Sequence, residues 1–340
     1  MEENYPIKRI IDDNGHFVDS TFEKEIDEKL VKELYYHMLR VRTFDRKAIN
    51  LQRQGRLGTY APFEGQEAAQ VGSALALQPD DWVFPTYRDH GATITFGKSM
   101  TRTFLYWNGR VEGCVAPPDR HIFPPAVPIA TQLPHAAGAA WAEKLKGTQN
   151  ASIAYFGDGY TSEGDFHEGL NFAGVHKLPC ITMVENNKYA ISVPYDRQVA
   201  AKNVSDRAIG YGMPGFTVDG TDPLEVYKVV KDAADRARNG EGPTLIEAVS
   251  HRLTAHSSDD DQRQYRTAED LAEGQAADPI SKFAAYLTEL NILNEEIEKD
   301  LNDRIMKEVN EATDYAENAP YAAPEDALKY VYAEKDGGNA

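Results

Sequence analysis

The stretch that most constrains this chain runs from Ala151 to Pro194. It opens with ASIAYF, a short apolar and partly aromatic run of the kind that forms a buried strand. Gly157-Asp158-Gly159 then imposes a sharp turn, which glycine-flanked backbone makes at low cost. Phe166, Leu170, Ala173 and Lys177 come next, about one helical turn apart, and Leu178-Pro179 ends that pattern. A second apolar run, CITMVE, leads into Asn186-Asn187. Strand, helix and strand make a βαβ unit, whose crossover is right-handed. Both polar turns then lie on one carboxyl edge of a parallel sheet, where open α/β sheets bind their ligands.

The chemistry belongs to those two turns. Residues 160–185, 26 in all, separate Gly159 from the Asn pair. Asp158 offers a carboxylate, Asn187 an amide oxygen, and the bend at Tyr189 a main-chain carbonyl. Three hard oxygens suit Mg²⁺, whose octahedron is completed by water and phosphate oxygens. The amides after Asp158 are expected to start a helix and to meet a diphosphate directly. Asp-Gly and Asn-Asn are also ordinary turn formers, so either one alone would mean only a turn; their pairing on one βαβ unit is what points to a site. The dinucleotide fingerprint G-x-G-x-x-G fails here, because Ser162 occupies its last position.

GDG, 26 residues and NN form the thiamine diphosphate motif. The wider GDGYTSEGDFHEGLNFAGVHKLPC…ENNKYAIS resembles the α subunit of the thiamine-dependent first component of 2-oxo acid dehydrogenase complexes, over about Arg40 to Thr267. The resemblance implies thiamine diphosphate and Mg²⁺ as cofactors, with Asp158, Asn187 and Tyr189 on the metal. It places Tyr87, Arg88, Gly159, Tyr160 and His256 on the cofactor, with His256 also reaching the reaction intermediate. A guanidinium forks phosphate oxygens well, which suits Arg88 to that task. Ile129 stands where the family carries the apolar wedge that bends thiamine. Pro128, Thr131 and Gln132 match a loop that in some relatives binds a monovalent cation, which the resemblance gives as K⁺, and Val127 stands where those relatives carry Ser. Ser257 and Thr267 fall where eukaryotic relatives are phosphorylated. The wording HSSDDD…YR is closer to branched-chain enzymes than to pyruvate enzymes.

A thiamine enzyme also needs a pyrimidine-binding half, and this chain has room for only the diphosphate half. The resemblance therefore implies a β subunit, an α₂β₂ tetramer, and acyl transfer from a 2-oxo acid to a lipoyl arm of the acyltransferase core. A pyruvate or acetoin dehydrogenase α subunit, or a non-catalytic subunit that binds thiamine diphosphate, would share the motif. Net charge is −18 with a pI near 4.9, which argues against nucleic acid or an anionic membrane as partner. Two cysteines, Cys114 and Cys180, make no disulfide framework and fit a reducing cytoplasm. MEENYPIKRI reads as neither a signal nor a transit peptide.

The remaining chain alternates strand and helix patterns, so the expected fold is α/β: a doubly wound, mostly parallel sheet with helical additions at both ends. Three segments are expected: an N-terminal arm and helix over 1–50, the diphosphate-binding domain over 51–270, and a C-terminal helical extension over 271–340. The first twenty residues read as a loose arm. A capping box at Ser20 and Glu23 should open a long helix with a solvated charged face. Residues 109–128 read as an extended surface loop. AAGAA, within 136–140, reads as a buried close contact. TAHSSDDDQRQYRT, Asp-rich and polar, reads as a loop held in place only by cofactor.

Overall fold

The computed structural model describes residues 5–19, 26–321 and 323–328. Among the described residues, seven strands build one sheet: β1 (Ile7–Lys8), β2 (Trp82–Phe84), β3 (His121–Ile122), β4 (Ser152–Gly157), β5 (Cys180–Asn186), β8 (Gly215–Asp219) and β9 (Thr244–Val249). Their spatial order is β1-β8-β9-β5-β4-β2-β3, and every pairing is parallel. Two short strands, β6 (Tyr189–Ala190) and β7 (Val193–Pro194), form a separate hairpin.

The central strands are apolar on both faces, as strands covered on both sides must be. Ala154, Phe156 and Val184 point into one core with α5 (Gln132–Lys146) and α6 (Gly164–His176). Ile153, Tyr155, Ile181 and Met183 point into the other, which is covered by α2 (Glu67–Leu75), α3 (His90–Thr95) and α7 (Pro223–Arg238). A further helical layer joins α1 (Glu28–Arg53) and α4 (Met100–Trp107) to α9 (Pro279–Glu289) and α10 (Glu295–Asn318). The segments before 50 and after 271 therefore meet each other beside the α/β body. No helix among the described residues is long and apolar enough to cross a membrane.

Several local expectations are corrected. The arm is not loose over residues 5–19: β1 extends the sheet, and Ile10 and Ile11 are fully buried. Their amides donate to Asp222 Oδ2 at 2.6 and 2.8 Å. The other oxygen of Asp222 accepts from Leu224 and Glu225, capping α7. The expected capping box at Ser20 and Glu23 lies outside the described residues; α1 begins at Glu28, capped by Asp27. Part of its charged face is buried rather than solvated. Arg42 pairs with Glu67, and Asp45 accepts from the Tyr60 hydroxyl at 2.7 Å, because the chain over 60–67 folds back on this helix. Residues 109–128 contain the edge strand β3, which comes after a short 3₁₀ turn at Val111–Cys114. In α5, Ala136, Ala137 and Ala140 are buried, but Gly138 is on the open face with no neighbour within reach.

Candidate functional site

The register of β4 on β5 pairs Gly157 with Glu185, so Asp158 and the Asn pair leave the sheet side by side. Asp158 opens a 3₁₀ turn that runs to Ser162, and α6 starts only at Gly164. The expected helix N-terminus is thus displaced, because Glu163 is extended (φ −83°, ψ 148°) and breaks the two apart. Gly159 sits where a Cβ would come within 2.9 Å of the Ala190 Cβ, so glycine lets the β6–β7 hairpin close over the turn.

Asp158 is fully buried, and neither carboxylate oxygen has a hydrogen-bond partner. Burial pushes its carboxyl up to about 7, although Arg252 and the nearby Asn187 amide pull the other way without closing a bond. An unpartnered buried carboxylate is expensive in a folded protein, and a cation is the natural partner for one. Opposite it, Asn187 Nδ2 donates to Gln66 Oε1 at 2.9 Å, and Asn187 Oδ1 accepts from the Tyr189 amide at 3.3 Å. Tyr189 sits opposite Pro194 across the hairpin, and the flanking bond runs from the Tyr195 amide to the Lys188 carbonyl at 2.9 Å, so theirs is a non-hydrogen-bonded pair and the Tyr189 carbonyl faces away from the ladder. Lys188 and Ile191 bend this turn at φ 68° and 57°. That conformation is strained for a β-branched side chain, and Arg252 pins it by donating to the Ile191 carbonyl at 2.9 Å.

One cavity of about 180 Å³ gathers Tyr87, Arg88, Ile129, Asp158, Gly159, Tyr160, Tyr189 and His256. Asn187 is buried just behind its wall. Arg88 is committed in part: it donates to the carbonyls of Pro62 and His256, and its Nη2 lies 3.0 Å from His256 Nδ1. A guanidinium only donates, so Nδ1 must accept and the His256 proton must sit on Nε2. Burial, with Arg88 and Arg252 nearby, pushes His256 down to about 3, so it is neutral at physiological pH. Burial and the adjacent Tyr87 raise the Tyr160 hydroxyl well above its usual range.

The His256 loop has its own anchors, which corrects the expectation that only a cofactor could hold it. Asp260 accepts from the His256 amide at 2.8 Å and from the Tyr265 hydroxyl, which itself accepts from buried Arg252. Ser258 exchanges two hydrogen bonds with Tyr60. Composition missed this because the acids are used as acceptors rather than left to repel one another. Thr267 caps α8 (Ala268–Ala276), its side chain accepting from the Asp270 amide, and the Ser257 carbonyl accepts from Asp260. In the turn before α5, the Thr131 hydroxyl donates to the Pro128 carbonyl at 2.9 Å. Gln132 donates to Ala126, while its Oε1 is buried and unpartnered.

Sequence reading missed three buried polar residues at the back of the cavity. Gln66 and Gln70 both donate to Glu185 Oε2, at 2.5 and 3.1 Å. Burial raises Glu185 well above the ordinary carboxyl range. A signal existed, since an acid closing the apolar run CITMVE is out of place in a buried strand. Its partners lie more than a hundred residues away and had none. Among the described residues, no group of three or more His, Cys, Asp or Glu side chains could hold a metal. The oxygen set above has one carboxylate only.

Known proteins are similar to this chain over most of its length. A family model described as dehydrogenase E1 component matches residues 35–325. The chain is 52% identical to the 2-oxoisovalerate dehydrogenase subunit alpha of Bacillus subtilis, over 88% of this chain and 94% of the relative. It is 40% identical to the 3-methyl-2-oxobutanoate dehydrogenase subunit alpha of Mycobacterium tuberculosis, over 97% of this chain and 90% of the relative. With the pyruvate dehydrogenase E1 component subunit alpha of Staphylococcus aureus it shares 38% identity, over 97% and 90%.

Proposed function

This chain belongs to the dehydrogenase E1 component family, and we propose that it is the α subunit of a branched-chain 2-oxo acid dehydrogenase. In this reading it assembles with a β subunit as an α₂β₂ tetramer, holds thiamine diphosphate through Mg²⁺, and works in the cytoplasm. The enzyme decarboxylates a branched-chain 2-oxo acid and passes the acyl group to a lipoyl group of the acyltransferase core. The observation that carries the site reading is the buried, partnerless carboxylate of Asp158 at the carboxyl end of β4. The names of the two branched-chain relatives support the substrate class, since 2-oxoisovalerate and 3-methyl-2-oxobutanoate are the same acid.

Bound thiamine diphosphate supplies the carbon nucleophile and electron sink that decarboxylation of a 2-oxo acid needs. The chain's own residues bind and orient. Asp158, the Asn187 amide oxygen and the Tyr189 carbonyl would hold Mg²⁺, one charged ligand and two neutral ones. Arg88 keeps its Nε–H and one Nη1–H free of protein partners for phosphate oxygens. Tyr87, Tyr160 and the Gly159 amide line the same space. Ile129, at the cavity mouth, is the apolar wedge. His256, neutral with its proton on Nε2, acts as a hydrogen-bond donor toward anionic oxygen rather than as a cation. K⁺ would sit at Pro128, Thr131 and Gln132; the free Gln132 Oε1 supports that, and Val127 adds no side-chain oxygen.

Co-expression with a β subunit tests the whole reading. The purified complex should decarboxylate 3-methyl-2-oxobutanoate and 4-methyl-2-oxopentanoate in preference to pyruvate, with an artificial electron acceptor or a lipoyl domain as oxidant. Preference for pyruvate would overturn the substrate class, and a complex inert toward all three would overturn the activity.

A further inference from the structure

We infer that Gln66 is a positioning residue that sets which way the Asn187 side-chain amide faces, and so whether the metal site receives an oxygen or an NH₂ group. The inference rests on the Mg²⁺ reading proposed above and extends it to a residue outside the oxygen set.

An asparagine amide has nearly the same shape in its two flipped orientations, so only its hydrogen-bond partners choose between them. At a metal, one orientation offers a ligand oxygen and the other points N–H donors at a cation. Asn187 meets Gln66 through Nδ2, which donates to Gln66 Oε1 at 2.9 Å. Gln66 presents an oxygen there because its own NH₂ is taken by Glu185 Oε2 at 2.5 Å. Glu185 is fixed in turn: Gln70 Nε2 donates to the same oxygen at 3.1 Å and to the Arg88 carbonyl at 3.2 Å, while Gln70 Oε1 accepts from Gly91 at 2.8 Å.

The relay therefore runs one way, from Glu185 through Gln66 to Asn187. Each acceptor forces the next amide to turn its NH₂ inward, and the last oxygen, Asn187 Oδ1, is left facing away from Gln66, toward the Tyr189 turn. Gln66, Glu185 and Gln70 are all almost wholly buried, so water does not compete for these bonds.

The test uses a property that packing alone does not share. A carboxylate at position 187 presents oxygen in either orientation, so Asn187→Asp removes the need for the relay. In that background Gln66 Oε1 would oppose an acceptor, and removing it should bring relief. Mn²⁺ affinity of the co-expressed α₂β₂ protein, measured by electron paramagnetic resonance with thiamine diphosphate present, is the readout. Gln66→Met, close in shape but without the amide, should weaken Mn²⁺ binding about tenfold or more, in the range for loss of an outer-shell partner. In the Asn187→Asp background the same substitution should leave affinity unchanged or improve it. Gln66→Leu is carried in parallel, with melting curves showing that each variant is folded and assembled. Equal loss in both backgrounds, or no loss in either, overturns the role of Gln66 while leaving the metal site standing. A wild-type complex that binds no Mn²⁺ overturns the metal reading itself, and this inference with it.

Discussion

Asp158 and His90 are both buried titratable groups, yet they are held in opposite ways. Asp158 has no partner, and an isosteric amide would remove its charge without changing its shape. In Asp158→Asn the metal-free protein should melt no lower than wild type, because no buried charge remains to be compensated. Calorimetric titration of the α₂β₂ protein should show the affinity for Mg²⁺ with thiamine diphosphate falling well beyond the roughly 10–100-fold typical of an outer-shell loss. Unchanged affinity would remove Asp158 from the metal. His90, fully buried at the start of α3, accepts from Trp107 Nε1 at 2.8 Å. Burial, with Lys98 and Arg88 adding to it, pushes its pKa down to about 3. The folded pKa lies below the unfolded value of about 6.5, so the unfolded chain gains a proton first as the pH falls. The stability that neutral His90 contributes is complete above pH 6.5 and drains as pH falls toward 3, by up to about 1.4 kcal/mol per pH unit. His90→Gln keeps an acceptor for Trp107 and cannot titrate, so its urea midpoints should fall less steeply from pH 6.5 to 4.5. Parallel curves would show that His90 does not carry this dependence. At this scale the sequence exposed residues that sit within a motif. Asp158 and Asn187 could be marked as candidates because turn chemistry and spacing coincide. Gln66 and Glu185 could not, because their meaning comes from meeting each other across the fold.

Among the elements, Asp222 joins two that are distant in the chain. One carboxylate oxygen caps α7 and the other holds the amides of Ile10 and Ile11 beside β1. Asp222→Ala removes a cap and orphans two buried donors, so it should cost roughly 3 kcal/mol or more. Asp222→Asn keeps one oxygen and should lose about half as much. Urea unfolding gives the size, and protease cleavage after Lys8 or Arg9 should quicken in the Ala variant. A loss confined to the cap's usual ~1 kcal/mol, with no new cleavage, would mean that the arm is held by other contacts. The central strands β4 and β5 and the helix α6 between them were legible because apolar runs, helical spacing and Gly and Pro breaks are local signals. The edge strands β1 and β3 were not, since two residues carry no periodicity and pair only because a neighbour offers its edge. The His256 loop was misread for a related reason: acids that look repulsive in sequence are separate acceptors in space.

For the whole molecule, the cavity lining includes the exposed apolar side chains of Ile129 and Ile191 on an otherwise acidic chain. Val127 is 60% and Ile191 58% exposed, and Val193 and Ile129 lie partly open close by in sequence. Burying one such side chain in an interface contributes about 1.5–3 kcal/mol, or about tenfold or more in a dissociation constant. Val127→Asp and Ile191→Asp should therefore each shift α₂β₂ toward free α on size-exclusion chromatography, with little change in the melting of free α. Assembly as tight as wild type would place the β subunit elsewhere. The expectation of a partner came from the motif and the family it resembles; where a partner would sit was not legible, because exposure belongs to the folded surface. The outermost strands of the sheet, β1 and β3, are two residues long each, so the sheet presents almost no free ladder to another chain. A subunit made ahead of its partner can then wait in the cell without being drawn into strand-to-strand polymers. Its hazard is the apolar rim, which invites reversible clumping until the proposed partner covers it.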